Sequence, residues 1–513
     1  MTTLPSGVPV VLDRADGVPL AVQISAQLQT AVVGGALRSG DRLPSTRELA
    51  QVLGVSRTVV TNAYARLFAE GWLEGRHGSG TYVADVTPAE PAGGCAAAAP
   101  AAARRAVGTP GARPPSAAPG ASGPSTGRPG DPRRLIELRP GYSWADGIDP
   151  AVWRRAWRQA GTRLPSMWPD PHGLPELRAE VAAYLGRSRG LAIAPEHVLI
   201  TQGVSSGLAL LADTVVRPGD RVGIEEPGYP SAREVLRRAG AQLVPCRVDA
   251  HGIVPEELPG DLRLLYTTPA HQYPLGGRLP VRRRQALISW ARATGALVVE
   301  DDYDSEFRYD VGPLPALFSM DPDVIVYLGT ASKMLATALG AGWLVANPAL
   351  VSRLAELRPR FAARIPEAMQ HAFLALLTSG DLERHVRKMR LEYARRRAAL
   401  VETLTGADPG QAPAQTGQAP AARAAGDPPP FAPVPFRLLG DTAGMHVVLE
   451  LPDGYPAARL VDAAAARGVR VYTTDRYYAG PPAISALILG YGTATLPQVR
   501  RAAAELATLL TRA

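Results

Sequence analysis

The chain carries 53 arginines and only two lysines, Lys333 and Lys388. Arginine serves wherever a positive charge is enough, but only an amine can form a Schiff base with an aldehyde, so each remaining lysine is a candidate for carbonyl chemistry. Lys388 sits in a basic run at helical spacing, with Arg384, Arg387, Arg390, Arg395, Arg396 and Arg397; such a run reads as a solvated helix face or an auxiliary phosphate contact. Lys333 is placed differently. Gly329-Thr330-Ala331-Ser332-Lys333 directly follows the apolar run Val324 to Leu328, which puts the amine at a strand end with the hydroxyls of Thr330 and Ser332 beside it. Upstream, Val299 to Phe307 places acids, Asp301 among them, where another buried strand ends. An acid there can pair with a protonated pyridine nitrogen. Farther upstream, Thr201-Gln202-Gly203-Val204-Ser205-Ser206-Gly207 opens a helix, whose free N–H groups suit a phosphate. Taken singly, these are a packing turn, a solvated loop and a lysine. Their order along one chain suits pyridoxal 5'-phosphate.

The elements that must position these groups are short apolar runs, such as Ala296 to Val299, alternating with helical patterns. That alternation predicts an α/β domain with a largely parallel sheet. At 513 residues the chain exceeds one core. The expected division is a small α+β domain over 1–86, a linker over 87–134 and a large domain over 135–513 with an insertion at about 406–435. The linker and the insertion are rich in Ala, Pro and Gly and poor in large apolar side chains, so both are expected to be disordered.

In the first domain, apolar residues at helical spacing predict a helix from Pro19 to about Leu37. A second follows over Thr46–Leu53, with Ser45 and Glu48 as a capping box. Gly54-Val55-Ser56 then leads into a third, Arg57–Glu70, and this close pair is a helix-turn-helix pattern. Trp72 to Gly75 and Gly80 to Val83 alternate as two strands of a hairpin whose tip could lie along a DNA groove.

The stretch from Pro19 to Val83 resembles the winged helix of the GntR regulators, in Leu43-Pro44-Ser45-Thr46-Arg47-Glu48-Leu49-Ala50, Gly54-Val55-Ser56-Arg57-Thr58 and Gly71-Trp72-Leu73. The resemblance implies contact with double-stranded DNA through Arg47, Arg57, Thr58, Thr61, His77 and Gly78. From about Leu138 to Ala507 the chain resembles the fold-type I aminotransferases, and specifically the MocR group of GntR regulators. Among its signatures are Pro169-Asp170-Pro171-His172-Gly173, Glu226-Pro227-Gly228-Tyr229-Pro230, Thr268-Pro269-Ala270-His271-Gln272-Tyr273-Pro274 and Arg476-Tyr477-Tyr478-Ala479-Gly480. This resemblance implies Lys333 as the Schiff-base lysine, Asp301 at the pyridine nitrogen and Tyr303 at the phenolic oxygen. It implies Tyr229 stacked on the ring, Gly203, Val204, Ser205, Thr330 and Ser332 at the phosphate, and His271 and Gln272 lining the pocket. Two positions depart from the family pattern. Gly340 stands seven positions after the lysine, where an arginine usually clamps the phosphate, and Leu487-Ile488-Leu489 is apolar where transaminases grip a substrate carboxylate.

These features predict a DNA-binding regulator that senses pyridoxal phosphate or an amine or amino-acid effector, acts as a homodimer and transaminates weakly. Two alternatives stay open: a working aminotransferase with an added DNA-binding domain, and a regulator whose pocket no longer holds cofactor. The net charge of +8 argues little by itself, because Met1 to Val86 is formally neutral. Cys95 and Cys246 lack metal-ligand spacing, no metal is expected, and no apolar run reaches the ~18 residues of a membrane span. A cytoplasmic protein is expected.

Overall fold

A computed structural model describes residues 2–3, 9–14, 19–76, 80–84, 135–309, 315–361, 365–406, 436–440, 442–452, 455 and 457–512. The expected linker, and the expected insertion beyond Gly406 up to Pro435, lie outside these residues.

The N-terminal domain is built from α1 (Leu20–Val33), β1 (Arg42–Leu43), α2 (Thr46–Leu53), α3 (Arg57–Glu70), β2 (Leu73–Arg76) and β3 (Gly80–Val83). α1 stops four residues short of the expectation because Gly34 and Gly35 follow it, and glycine is a poor helix former. The capping box forms: Ser45 Oγ accepts from the Glu48 amide at 3.2 Å, and the Glu48 carboxylate accepts from the Ser45 amide at 2.8 Å. α2 ends at Gly54 in the left-handed region. On α3, Val60, Ala63, Tyr64 and Leu67 recur at one face and are all buried, the spacing a helix needs to seat against a core. Ser56 occupies the N-cap of α3 without a side-chain cap bond. β1 pairs antiparallel with β3, adding a third strand to the wing in the order β1-β3-β2. Two residues are too short to show alternation in sequence.

The large domain centres on eight strands: β4 (Val198–Thr201), β5 (Arg221–Glu226), β6 (Gln242–Asp249), β7 (Gly252–Ile253), β8 (Leu264–Thr267), β9 (Leu297–Asp302), β10 (Ile325–Thr330) and β11 (Gly342–Val345). Their order is β7-β6-β5-β8-β9-β10-β11-β4. β6, β5, β8, β9 and β10 run parallel, while β7 and β11 are reversed. β4, β8, β10 and β11 are buried at every position, as strands covered on both faces must be. The helices that cover the sheet include α4 (Val204–Val215) and α5 (Val281–Thr294). A second lobe holds the long helix α6 (Asp381–Thr405), the strands β12 (Arg437–Leu439), β13 (His446–Glu450), β14 (Tyr472–Thr473) and β15 (Ala486–Gly490), and α7 (Leu496–Arg512). Its sheet is antiparallel in the order β12-β13-β15-β14. The basic run sits on α6 with its two ends in different surroundings. Arg396 is fully buried over the rings of Trp144 and Tyr393, so part of the run is core and not a solvated face.

Candidate functional site

The parallel strands end where ligands bind in α/β sheets. β9 ends in Asp301 and Asp302, β10 ends in Thr330, and the turn after β4 supplies Gly203 before α4 begins. These ends, with Lys333 three residues beyond β10, enclose a cavity of about 180 Å³. Of the residues expected at a cofactor, Gly203, Val204, Ser205, Tyr229, Asp301 and Tyr303 line it, as do Thr330, Ser332 and Lys333.

One end of the cavity is formed by the turn into α4 and by the hydroxyls of Thr330 and Ser332. Gly203 holds φ +92 and ψ 178, a region open essentially to glycine. A Cβ on Gly342 of β11 would come 2.6 Å from the Gly203 Cα, so both positions need a bare backbone for the turn to seat on the sheet. Thr330 Oγ1 donates to Ser332 Oγ at 3.0 Å and accepts from the Ser332 amide at 3.1 Å. Among the described lining residues Lys333 is the one cationic side chain. Gly340 lies in the left-handed region at φ +61 with open space around it.

At Asp301, Oδ2 accepts from the Tyr266 hydroxyl while Oδ1 is buried without a partner. Burial pushes the carboxyl up to about 7, against the Tyr266 hydrogen bond and the Lys333 charge. A buried unpaired acceptor is costly, and a protonated ring nitrogen would satisfy it. Burial also lowers the pKa of the Lys333 amine, opposed by Asp301 and Asp304; this enlarges its nucleophilic, neutral fraction. The amine donates to the Gly141 carbonyl. The residues present therefore fit pyridoxal phosphate at the amine, the ring nitrogen and the helix N-terminus, while no guanidinium stands among the described lining residues.

His271 and Gln272 do not line the cavity. His271 Nδ1 lies 2.9 Å from the Tyr303 hydroxyl and 3.0 Å from Asp304, so it holds Tyr303 from behind. The Gln272 amide donates to the carbonyls of Pro227 and Tyr273 and to Glu225, and its oxygen accepts from the Leu275 amide. These bonds tie its loop to the end of β5. Gly141, Gln202, Thr268, Tyr273 and Thr337 also line the cavity and were not singled out from sequence. Tyr273 was within reach, lying in the Thr268 to Pro274 motif, but Gly141 carries no local signal.

Beneath the acids, Arg189 donates to Asp302 at 2.6 Å and to Glu306 at 2.7 Å, both buried, while Tyr327 and Tyr184 donate to the same carboxylates. Burial opposes ionisation of Asp302, yet the Arg189 charge brings its pKa below the usual carboxylate range. This network fixes the turn carrying Asp301, Tyr303 and Asp304. Ile488 is buried among Tyr273, Tyr303 and Tyr477.

On the small domain, Arg47, Arg57, Thr58 and Thr61 are all exposed. Arg57 Nε lies 3.3 Å from Thr46 Oγ1, which links the starts of the two helices. His77 and Gly78 lie outside the described residues. Arg42, not singled out from sequence, reaches the wing: a Cβ on Gly80 would stand 3.1 Å from its Nε.

Residues 20–83 match the bacterial regulatory proteins of the gntR family, and residues 142–420 match aminotransferase class I and II. The chain is 34% identical over 499 residues to the HTH-type pyridoxine biosynthesis transcriptional regulator PdxR of Corynebacterium glutamicum, covering 97% of both chains. It is 34% identical over 396 residues to the probable rhizopine catabolism regulatory protein MocR of Rhizobium meliloti, covering 76% of this chain and 78% of that one. Among solved structures, an archaeal alanine:glyoxylate aminotransferase superposes with a TM-score of 0.64 at 25% identity, over 74% of this chain and 91% of that one. No helix among the described residues is long and apolar enough to cross a membrane.

Proposed function

Since the chain belongs to the MocR-type GntR transcription regulators, with an N-terminal helix-turn-helix domain and a large aminotransferase-like domain, we propose that the large domain binds pyridoxal 5'-phosphate at Lys333 and reports its state to the DNA-binding domain. The observation that carries this reading is the unpartnered, buried Oδ1 of Asp301 in the same cavity as the Lys333 amine. When bound, the cofactor supplies an aldehyde that condenses with primary amines and a ring that withdraws electrons. Asp301 accepts from the ring nitrogen, and Tyr303, braced by His271, donates at the phenolic oxygen. Tyr229 covers the ring, while Gly203, Val204, Ser205, Thr330 and Ser332 hold the phosphate. His271 and Gln272 act one step removed.

The domain over 1–86 binds a double-stranded operator through Arg47, Arg57, Thr58 and Thr61, with His77 and Gly78 at the wing. The protein acts there as a homodimer, because one winged helix offers a small interface. Residues 87–134 serve as a tether to the domain over 135–513. The apolar surroundings of Ile488 favour a sensor over a transaminase, since they leave a substrate carboxylate without its usual partner. A second reading, in which the domain serves dimerisation and holds no cofactor, is favoured by the missing guanidinium at Gly340. One experiment separates the two. Purified protein with added cofactor should show a visible band that borohydride fixes on the peptide carrying Lys333, and Lys333→Ala should abolish it. Absence of the band from wild-type protein at saturating cofactor favours the second reading.

A further inference from the structure

Behind the cavity, Asp304, His271 and Tyr303 meet at a single nitrogen. His271 Nδ1 lies 3.0 and 3.2 Å from the two carboxyl oxygens of Asp304 and 2.9 Å from the Tyr303 hydroxyl. All three side chains are buried. The imidazole is seated on the carboxylate by a bare backbone at Gly444, just before β13, where a Cβ would come 2.3 Å from His271 Cε1 and 2.8 Å from Asp304 Oδ2.

An imidazole nitrogen carries either a proton or a lone pair, and an ionised carboxylate only accepts. Two carboxylate oxygens at Nδ1 therefore call for an N–H there, as when a buried aspartate selects the tautomer of a neighbouring histidine. That N–H is shared with the Tyr303 oxygen, which then accepts and cannot donate back. Among the described residues Nδ1 is the one protein group within hydrogen-bond distance of the Tyr303 hydroxyl, and Tyr303 lines the cavity, so its own proton is left facing the cavity. Of the other titratable groups nearby, Asp301 and Lys333 line the same cavity, and the Tyr273 ring is centred 5.4 Å from that of Tyr303. Glu225 stands on β5, and Arg308 reaches the Ala270 carbonyl next to His271 at 3.5 Å. The His446 ring is centred 5.5 Å from that of His271, and its Nε2 donates to the Pro274 carbonyl at 2.8 Å. Burial and His271 push the pKa of His446 down to about 4, so it adds no charge at neutral pH.

We infer that Asp304 and His271 are positioning residues for the Tyr303 proton: Asp304 holds the proton on Nδ1 of His271, and His271 turns the Tyr303 O–H toward the phenolic oxygen of the group held at Lys333. The inference rests on the reading that Lys333 carries the cofactor. A donor aimed at that oxygen favours its anionic form and lowers the pH midpoint of the visible band, whereas the Asp304 charge acting through space raises the midpoint. The two roles of Asp304 thus have opposite signs.

The test uses the full-length protein. Borohydride fixation of added pyridoxal phosphate at Lys333 comes first, and its failure strikes the cofactor reading itself. With the band in place, Tyr303→Phe should raise its pH midpoint by about one unit. Asp304→Asn should also raise it, by no more than Tyr303→Phe does, and should add no rise when combined with Tyr303→Phe. Each variant is read after its borohydride-fixed band shows that the fold is intact. A midpoint that stays or falls in Asp304→Asn, or a rise that persists when Tyr303 is already Phe, overturns the inference. A second readout needs neither cofactor nor a stable Asp304 variant. In cofactor-free wild-type protein with heavy-nitrogen-labelled histidines, the His271 signal, assigned by its loss in His271→Asn, should show the proton on Nδ1. A proton on Nε2 alone overturns the inference as well.

Discussion

Burial raises the Asp301 carboxyl to about 7 and leaves Oδ1 unpaired, whereas in the unfolded chain it titrates near ~3.9. Through the window between those values the unfolded chain has released its proton and the folded chain still holds it, so stability falls as pH rises. Asp301→Asn removes that penalty and can still accept from Tyr266. The cofactor-free variant should therefore be more stable than wild type at pH 8 by about 1–4 kcal/mol, with the gap closing toward pH 4, as read from urea melts. Its cofactor affinity should fall at least tenfold. A similar opposition governs Gly340. An arginine there gains a charge-assisted bond of roughly 1.5–3 kcal/mol, but a non-glycine residue at φ +61 costs about 1–2 kcal/mol. Because that strain is present with and without cofactor, Gly340→Arg should lower the stability of the cofactor-free protein and tighten cofactor binding by about ten- to a hundredfold, measured by equilibrium titration of the visible band.

Two elements carry the sites, and each depends on a polar device. The capping box sets the start of α2 and hence the angle at which α3 is presented. Ser45→Ala should cost ~1 kcal/mol of winged-helix stability. Arg57→Ala, by contrast, removes an exposed group at the start of α3. It should leave the thermal melt in place while weakening specific operator binding by about 1–3 kcal/mol, measured by fluorescence anisotropy at fixed salt. At the end of β9, Arg189 is buried with two buried carboxylates. Arg189→Met strands those charges and should cost about 3–5 kcal/mol. The same change should lower cofactor affinity, because Asp301 and Tyr303 flank Asp302.

Across the whole molecule, the small domain rests on the large one. Val281 at the start of α5 is buried in the winged-helix core beside residues such as Val60 and Leu67, and a Cβ on Gly71 would meet Pro280 and Val281 at 3.8 Å. Glu70, at the end of α3, is buried and accepts from Arg66 at 2.9 Å. Burial raises its carboxyl pKa, and the charges of Arg66 and, from α5, Arg284 oppose the rise. Arg284 in turn feels Glu300, the neighbour of Asp301 on β9. The end of the helix that carries Arg57 is therefore packed against the helix beside the strand that carries Asp301. Val281→Asp should release the small domain, seen as a larger radius of gyration by small-angle scattering with helix content unchanged. An unaltered radius would show that the docking does not depend on this contact.

What the sequence determined by itself was whatever is encoded over a few residues. The capping box at Ser45, the α3 face and the strand ends bearing Asp301 and Lys333 are local patterns of period and charge, and a reader of the chain can place them before any contact is known. The scarcity of lysine and the two departures at Gly340 and Ile488 are legible in the same way. Tertiary structure decided where side chains separated by tens or hundreds of residues meet. It turned Gln272 into a loop brace and His271 into a support for Tyr303, and it brought Gly141 to the Lys333 amine. It also paired the two-residue β1 with β3, although so short a segment has no period to read. The physical reason is the same throughout: periodicity specifies which face of an element is buried, but which atoms lie across from that face depends on how the elements pack.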